Sequence, residues 1–333
     1  MLQGNITKIE ENQQICYIAY WEPVPETNGA RLLRLFGTVS EVTVPEYIEE
    51  LPVHELGAYC FSDRRIMKLE QDQILQAQTG GFMELCGNAV TKITLPAQLK
   101  LIGNCGFYNC RKLEFISMAS DTQKFGSDVF MNCKSLKQML IRNDIYTASG
   151  ARQILAQLTG KIQLTFQKNE EPPVSVYFPE YTEILDEIAP AHIFGRKIQG
   201  EGFRARQCFN HECIQLEDYD GIFTQAKKEE EPKHLIKMAL YRLESKTELL
   251  PERQTEYENY ILQHGRLAGN MLVQERNLKL LKMICVSHMI SNIDFEEIIQ
   301  QAVLEKWTEG TASMIGWKQE QMTENIVDRY SFD

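Results

Sequence analysis

A glycine recurs every 23 residues along the first half of this chain, at Gly57, Gly80, Gly103 and Gly126. Around three of them the pattern is G-x-x-small-F: Gly57-Ala-Tyr-Cys60-Phe61, Gly103-Asn-Cys-Gly106-Phe107 and Gly126-Ser-Asp-Val129-Phe130. Beyond the last two phenylalanines stand Leu113 and Leu136, and Val90 holds the matching place one period earlier. Each opens an L-x-x-I-x-L strand: Val90, Ile93, Leu95; Leu113, Ile116, Met118; Leu136, Met139, Ile141. The Gly80 unit is degenerate, with Glu84 where the phenylalanine belongs. One strand plus one turn cannot bury its own apolar face, so units of this length must stack into a solenoid. The L, I and L positions then point inward and the residues between them outward. The phenylalanine fills the interior, and the glycine allows a positive φ or a close approach between coils. Asn109-Cys110 and Asn132-Cys133 share a place in successive units, which reads as stacked asparagines beside buried thiols.

The stretch Val42-Thr-Val-Pro45 through Leu51-Pro52-Val53-His54-Glu55-Leu56-Gly57-Ala58-Tyr59-Cys60-Phe61 resembles the opening repeat of BspA-type leucine-rich repeat proteins. Ile93-Thr94-Leu95-Pro96 and Asn109-Cys110-Arg111-Lys112-Leu113 continue the likeness over about residues 39 to 145. The resemblance implies a short β-solenoid that binds other proteins, and many relatives are secreted or surface adhesins. The later stretch Pro179-Glu180-Tyr181 through Arg206-Gln207-Cys208-Phe209 to Tyr219-Asp220-Gly221-Ile222-Phe223 resembles a region that follows such repeats in proteins of anaerobic Gram-positive bacteria, with no activity attached.

An α+β chain follows: residues 1–38 an N-terminal β cap, 39–145 the leucine-rich repeat solenoid, 146–227 an irregular α+β continuation, and 228–333 an α-helical domain. The cap is a hairpin with strands at Ile15–Trp21 and Arg31–Phe36 around Pro23–Gly29. In the middle segment a short helix is expected within 148–158, with strands at Lys161–Phe166 and from Val174. After the charged linker Lys227-Lys-Glu-Glu-Glu-Pro232 the apolar period becomes helical. Leu235, Met238, Ala239 and Leu243 share one face, while Tyr257, Ile261 and Leu262 pack the next helix. Leu278–Cys285 and Ala312–Trp317 align at an offset of 34, so a weakly ankyrin-like array stands beside a plain helical bundle as the two readings of this domain.

A net charge of −11 disfavours nucleic acid and anionic membranes and suits a basic protein surface. The absence of an 18-residue apolar run argues against insertion in a bilayer. The opening Met1-Leu2-Gln3-Gly4-Asn5 lacks a secretory leader, and nine cysteines cannot all pair. Both point to the reducing cytoplasm, with export as the alternative if a leader has been removed. Cys208-x-x-His211-x-Cys213 is the one compact group of soft ligands, and it lacks the fourth that zinc asks for, so a loop position is preferred and no cofactor is expected. The expected function is a non-enzymatic protein-interaction scaffold; a thiol- or metal-dependent enzyme is the more distant alternative. Its contacts would come from outward strand positions in two columns: Glu41, Lys92, Phe115 and Gln138, and Thr43, Thr94, Ser117 and Leu140. Arg196, Arg204 and Arg206 around Gly200-Glu201-Gly202 offer contacts to an anionic ligand, against the plainer reading of a solvated hairpin.

Overall fold

A computed structural model of the chain describes residues 4–11, 14–64, 81–188 and 193–330. Three antiparallel strands come first: β1 (Asn5–Glu11), β2 (Gln14–Val24) and β3 (Gly29–Gly37). The hairpin read from sequence is β2–β3; β1 adds a third strand that its polar sequence does not announce. The solenoid follows with β4 (Glu41–Thr43), β5 (Tyr47–Ile48), β6 (Leu51–Leu56), β7 (Met83–Glu84), β8 (Lys92–Thr94), β9 (Leu101–Ile102), β10 (Phe115–Met118), β11 (Lys124–Phe125) and β12 (Gln138–Ile141). It continues through helix α1 (Ala151–Leu155), β13 (Ile162–Phe166) and β14 (Val174–Phe178).

Two sheets line the coils. One runs β4-β8-β10-β12-β13-β14, with parallel register from β4 to β13. The other carries the N-terminal strands into the solenoid as β1-β2-β3-β6-β9-β11. All nine inward positions of the three strand motifs are buried, from Val90 to Ile141. Phe61, Phe107 and Phe130 form a ladder with ring centroids 5.2 Å apart and planes within 3° and 8° of parallel.

The glycines serve close approach rather than a left-handed backbone. A Cβ on Gly103 would lie 2.6 Å from the Ala58 nitrogen, and one on Gly126 2.2 Å from Asn104 Oδ1. The left-handed turn falls two residues later, at Tyr59, Cys105 and Asp128, with φ of 60°, 55° and 54°. Asn109 and Asn132, also left-handed, make the expected ladder: Asn132 donates to Asn109 Oδ1 at 2.8 Å, and Asn109 to Asp63 at 3.0 Å. Gly80, read from sequence as the glycine of a degenerate unit, lies outside the described residues. Phe61 stacks directly on Phe107, the Phe61 N–H donates to the Gly106 carbonyl at 2.8 Å, and β6 pairs with β9. The coils of Gly57 and Gly103 are therefore in direct contact.

Beyond β14 come the hairpin β15 (Thr182–Ile188) and β16 (Ile193–Gln199), a single turn α2 (Gly202–Ala205), and the short pair β17 (Phe209–Asn210) and β18 (Cys213–Ile214). Two compact units result, Met1–Val174 with Phe178–Gln215, and Ser175–Tyr177 with Leu216–Asp333.

The second unit holds helices α3 (Leu216–Ala226), α4 (Pro232–Ser245), α5 (Pro251–Gln263), α6 (Gly265–Gln274), α7 (Leu278–Val286), α8 (Asn292–Leu304) and α9 (Thr308–Tyr330). Proline opens α4 and α5, and side chains of Asn277 and Ser291 cap α7 and α8. Helices pack as consecutive pairs, α4 on α5, α6 on α7 and α8 on α9, while α4, α6 and α8 form a row. Left-handed Lys246, Arg276 and Lys306 follow α4, α6 and α8, so the structural interval is 30 residues rather than 34. Trp307 and Trp317 are core residues, whereas Leu262, expected to pack, is 47% exposed. Fully buried Arg242 on α4 donates to Asp220 of α3 at 2.7 and 2.9 Å, and the Tyr257 hydroxyl of α5 donates to the same carboxylate at 2.8 Å. One carboxylate thereby ties three helices.

Candidate functional site

The strand register places the two expected columns side by side. Glu41, Lys92, Phe115 and Gln138 face one another across β4, β8, β10 and β12, and Gln163 of β13 extends the row. Thr43, Thr94, Ser117 and Leu140 form the second row, which continues to Thr165. Parallel pairing enforces this alignment, because each strand enters the sheet at the same point of its coil.

Their environments differ. Glu41, Thr43, Lys92 and Gln138 are exposed, while Thr94, Phe115 and Leu140 are half-buried. Lys92 and Glu41 pair at 2.8 Å, and the hydrogen bond to Glu41 raises the Lys92 pKa. With both side chains half or more exposed, the pair adds little stability. Ser117 is not an outward contact residue: it is 2% exposed and covered by Arg142. Arg142 follows β12, donates to Ser117 Oγ at 3.0 Å, and reaches the Leu95 carbonyl at 2.6 Å. Burial lowers the Arg142 pKa, with Glu46 opposing the shift. The guanidinium caps the second row, leaving Phe115 and Leu140 as the apolar elements of a face that is otherwise charged and amide-bearing.

The three arginines are not equivalent. Arg206 is 3% exposed; Nη1 donates to the carbonyls of Pro179 and Gly202 at 2.7 and 2.8 Å, and Nη2 to that of Gly160 at 2.5 Å. Its guanidinium also lies 5.1 Å from the Tyr181 ring centroid. The site read from sequence is corrected here, because a cation buried on three carbonyls holds chain segments together and presents nothing to an anion. Arg204 is exposed, and its charge is matched by Glu201 at 3.0 Å. Arg196 stands on β16 opposite Leu185, its side chain outside the described residues.

The cysteine–histidine group does not converge on a common point. Cys208 is buried and its thiol donates to the Arg204 carbonyl at 3.7 Å; Cys213 donates to that of Tyr146 at 3.3 Å; His211 is exposed. Among the described residues no group of three or more His, Cys, Asp or Glu side chains could hold a metal ion. All nine cysteines are free thiols. In the solenoid Cys110 donates to the Phe61 carbonyl at 3.2 Å and Cys133 to that of Phe107 at 3.1 Å. Burial pushes the Cys60 thiol up to about 12.

Sequence reasoning missed Arg142. Its partners lie 25 and 47 residues away, and no local motif marks it.

Residues 38–151 match the profile of the BspA type leucine-rich repeat region in six copies. Two solved structures resemble part of the chain. One is a leucine-rich repeat protein of T. pallidum, 20% identical with a TM-score of 0.25, the match covering 40% of this chain and 54% of that one. The other is a leucine-rich cell surface protein of Faecalibacterium prausnitzii A2-165, 16% identical with a TM-score of 0.27, covering 41% of this chain and 33% of that one. The chain thus spans about half and a third of the lengths of these proteins. No curated protein matches it.

Proposed function

Residues 38–151 being BspA-type leucine-rich repeats, we propose that the chain is a non-enzymatic protein-interaction module that meets a protein partner through the outer face of the β4-β8-β10-β12 sheet. Repeats of this kind offer extended surfaces whose outward positions vary without disturbing the core. The observation that carries the reading is the pair of half-buried apolar side chains, Phe115 and Leu140, on adjacent strands within rows of polar ones. Glu41, Thr43, Lys92, Thr94 and Gln138 surround them and would set specificity. The net charge of −11 favours a partner with a basic surface and not a nucleic acid.

We place the encounter in a reducing compartment, the cytoplasm. The supporting observation is that Cys110 and Cys133 use their S–H groups as donors to coil carbonyls, a role that oxidation would end. Among the described residues no helix is long and apolar enough to cross a membrane. The cell-surface reading is the alternative, and it has the description of the F. prausnitzii protein in its favour.

The test is affinity capture from the native cell with wild-type protein and with Phe115→Glu/Leu140→Glu, whose fold is checked by circular dichroism. A partner held by the first and lost by the folded second supports the face; retention of every partner by the double variant refutes it. Alkylation of protein taken from its native cell, under denaturing conditions without reductant, should modify nine thiols. Fewer would favour export.

A further inference from the structure

On the other sheet of the first unit, cross-strand register sets Glu22, Arg31, Glu55, Leu101 and Lys124 in one row over β2, β3, β6, β9 and β11. Two positions after Glu55, Leu101 and Lys124 come Gly57, Gly103 and Gly126, where a Cβ would meet the Leu33 side chain at Gly57 and the preceding coil at Gly103 and Gly126. A row of side chains beside a row of glycines makes a trough. Its volume is about 570 Å³, with Tyr20 and Leu33 at the N-terminal strands and Tyr59 and Asn104 after the glycines. That volume lies in the range of ligand-binding clefts.

The two ends carry opposite charge. Arg31 is held by Glu22 Oε1 and Glu55 Oε2, each at 2.6 Å, and the two carboxylates are only 14% and 12% exposed. Burial opposes the charged form of Arg31, but the hydrogen bonds to Glu55 and Glu22 outweigh it and raise its pKa. Two carboxylates around Arg31 leave one negative charge; Arg34, which also lines the trough, is buried and turned to the Ser62 and Arg64 carbonyls, and Glu22 Oε2 and Glu55 Oε1 are not engaged by Arg31. Lys124, at the far end of the row, is exposed and makes no ion pair among the described residues. Leu101 stands between, paired with Glu55 on one side and Lys124 on the other. Two strand spacings separate Glu55 from Lys124, about 10 Å. An extended peptide covers that distance in about three residues.

We propose that this trough binds a short extended peptide segment whose basic residue meets Glu22 and Glu55, whose acidic residue three positions away meets Lys124, and whose apolar side chains between them lie over Leu101 and Leu33. An elongated trough crossing several strands suits an extended chain better than a compact molecule. The site is separate from the sheet face proposed above, on the opposite sheet of the solenoid.

Fluorescence polarisation of the full chain with end-blocked, labelled peptides tests it. Arg-Leu-Leu-Glu should bind at least tenfold more tightly than Arg-Leu-Leu-Arg, Glu-Leu-Leu-Glu or the wider-spaced Arg-Leu-Leu-Leu-Leu-Glu. Lys124→Glu, a change at an exposed side chain, should transfer the preference to Arg-Leu-Leu-Arg, and Lys124→Ala should abolish the advantage of the acidic end. Phe115→Glu/Leu140→Glu should bind Arg-Leu-Leu-Glu as the wild type does, which separates this site from the other face. Equal binding of all four peptides, no binding of the first at millimolar concentration, or an unchanged preference in Lys124→Glu would overturn the proposal.

Discussion

In the solenoid, the buried Phe61, Phe107 and Phe130 each have another phenylalanine for a neighbour; in the helical unit, the fully buried Arg242 has no counterpart in the other helix pairs among the described residues. The first arrangement repeats one solution coil after coil, as in the rings of Phe61, Phe107 and Phe130. The second concentrates cohesion at a single ionic knot, where Asp220 receives Arg242 and Tyr257 from two other helices. Stacked apolar ladders spread stabilisation over many equivalent contacts. A buried ion pair places it at one point and depends on both partners being present.

The largest expected effect comes from cutting the knot. Arg242→Met leaves the Asp220 carboxylate buried with only the Tyr257 hydroxyl, and should cost about 3–5 kcal/mol of helical-unit stability in urea unfolding. Asp220→Asn combined with Arg242→Met should recover part of that loss, because no uncompensated charge remains. If the single variant cost under 1 kcal/mol, the contrast drawn above would fail.

Next comes the ladder. Phe107→Ala should cost about 3–5 kcal/mol through lost burial and the cavity left behind. Phe130→Ala should cost about 1 kcal/mol less, since Phe107 stacks on two rings and Phe130 on one. Equal losses would show that neighbouring rings do not reinforce one another.

Titration affects both regions alike. Burial pushes Cys60 and Cys285 each up to about 12, whereas an unfolded thiol ionises near 8.5. These pKa values are raised on folding, so their contribution is full below about pH 8.5 and is lost as pH rises towards 12, by up to about 1.4 kcal/mol per pH unit per thiol. Asp144 is held below the usual carboxylate range by hydrogen bonds from Thr147 and Lys168. In Glu256, burial acts in the opposite sense and is outweighed by Lys227, Arg253 and Thr224. Their contributions are present above the unfolded pKa and vanish as pH falls through the folded one, so acid should loosen both units. Chemical denaturation measured at pH 3, 7 and 10 should give its highest midpoint at pH 7.

The smallest effects lie at the corners. Asp128→Gly in the solenoid and Arg276→Gly in the helices relieve left-handed residues with φ of 54° and 51°, and each should add about 0.5–1 kcal/mol to stability. Thermal midpoints that fall in both variants would mean these side chains have roles beyond the turn.

The solenoid core was readable because a fixed period determines both which strand positions turn inward and which residues stand opposite one another. That is why the rows of Glu41 and Thr43 emerged in register. The row from Glu22 to Lys124 did not emerge, since its register slips at Tyr20/Trp21 in the antiparallel β2–β3 pair and at Ala30/Arg31 in the parallel β3–β6 pair. A bulge shifts the alternation by one residue and hides the alignment from any period-two reading. Arg206 was misread because its carbonyl partners at Gly160 and Pro179 are remote in sequence, and an arginine near glycines looks the same whether it is buried or solvated. The helical interval was obscured for a different reason. Its left-handed helix ends are Lys246, Arg276 and Lys306, where glycine would have been the visible signal.

Direct stacking of the Gly57 coil on the Gly103 coil has a further consequence for how such a chain can change over time. Phe61 and Phe107 touch although 46 residues separate them, while Phe107 and Phe130 touch across 23. Two periods of sequence therefore serve one step of the stack. β7 then pairs with β3 in antiparallel register, Glu84 opposite Phe36 and Met83 opposite Gly37. A whole coil can therefore be added or lost only together with its ring and its asparagine, since each meets its counterpart in the next coil.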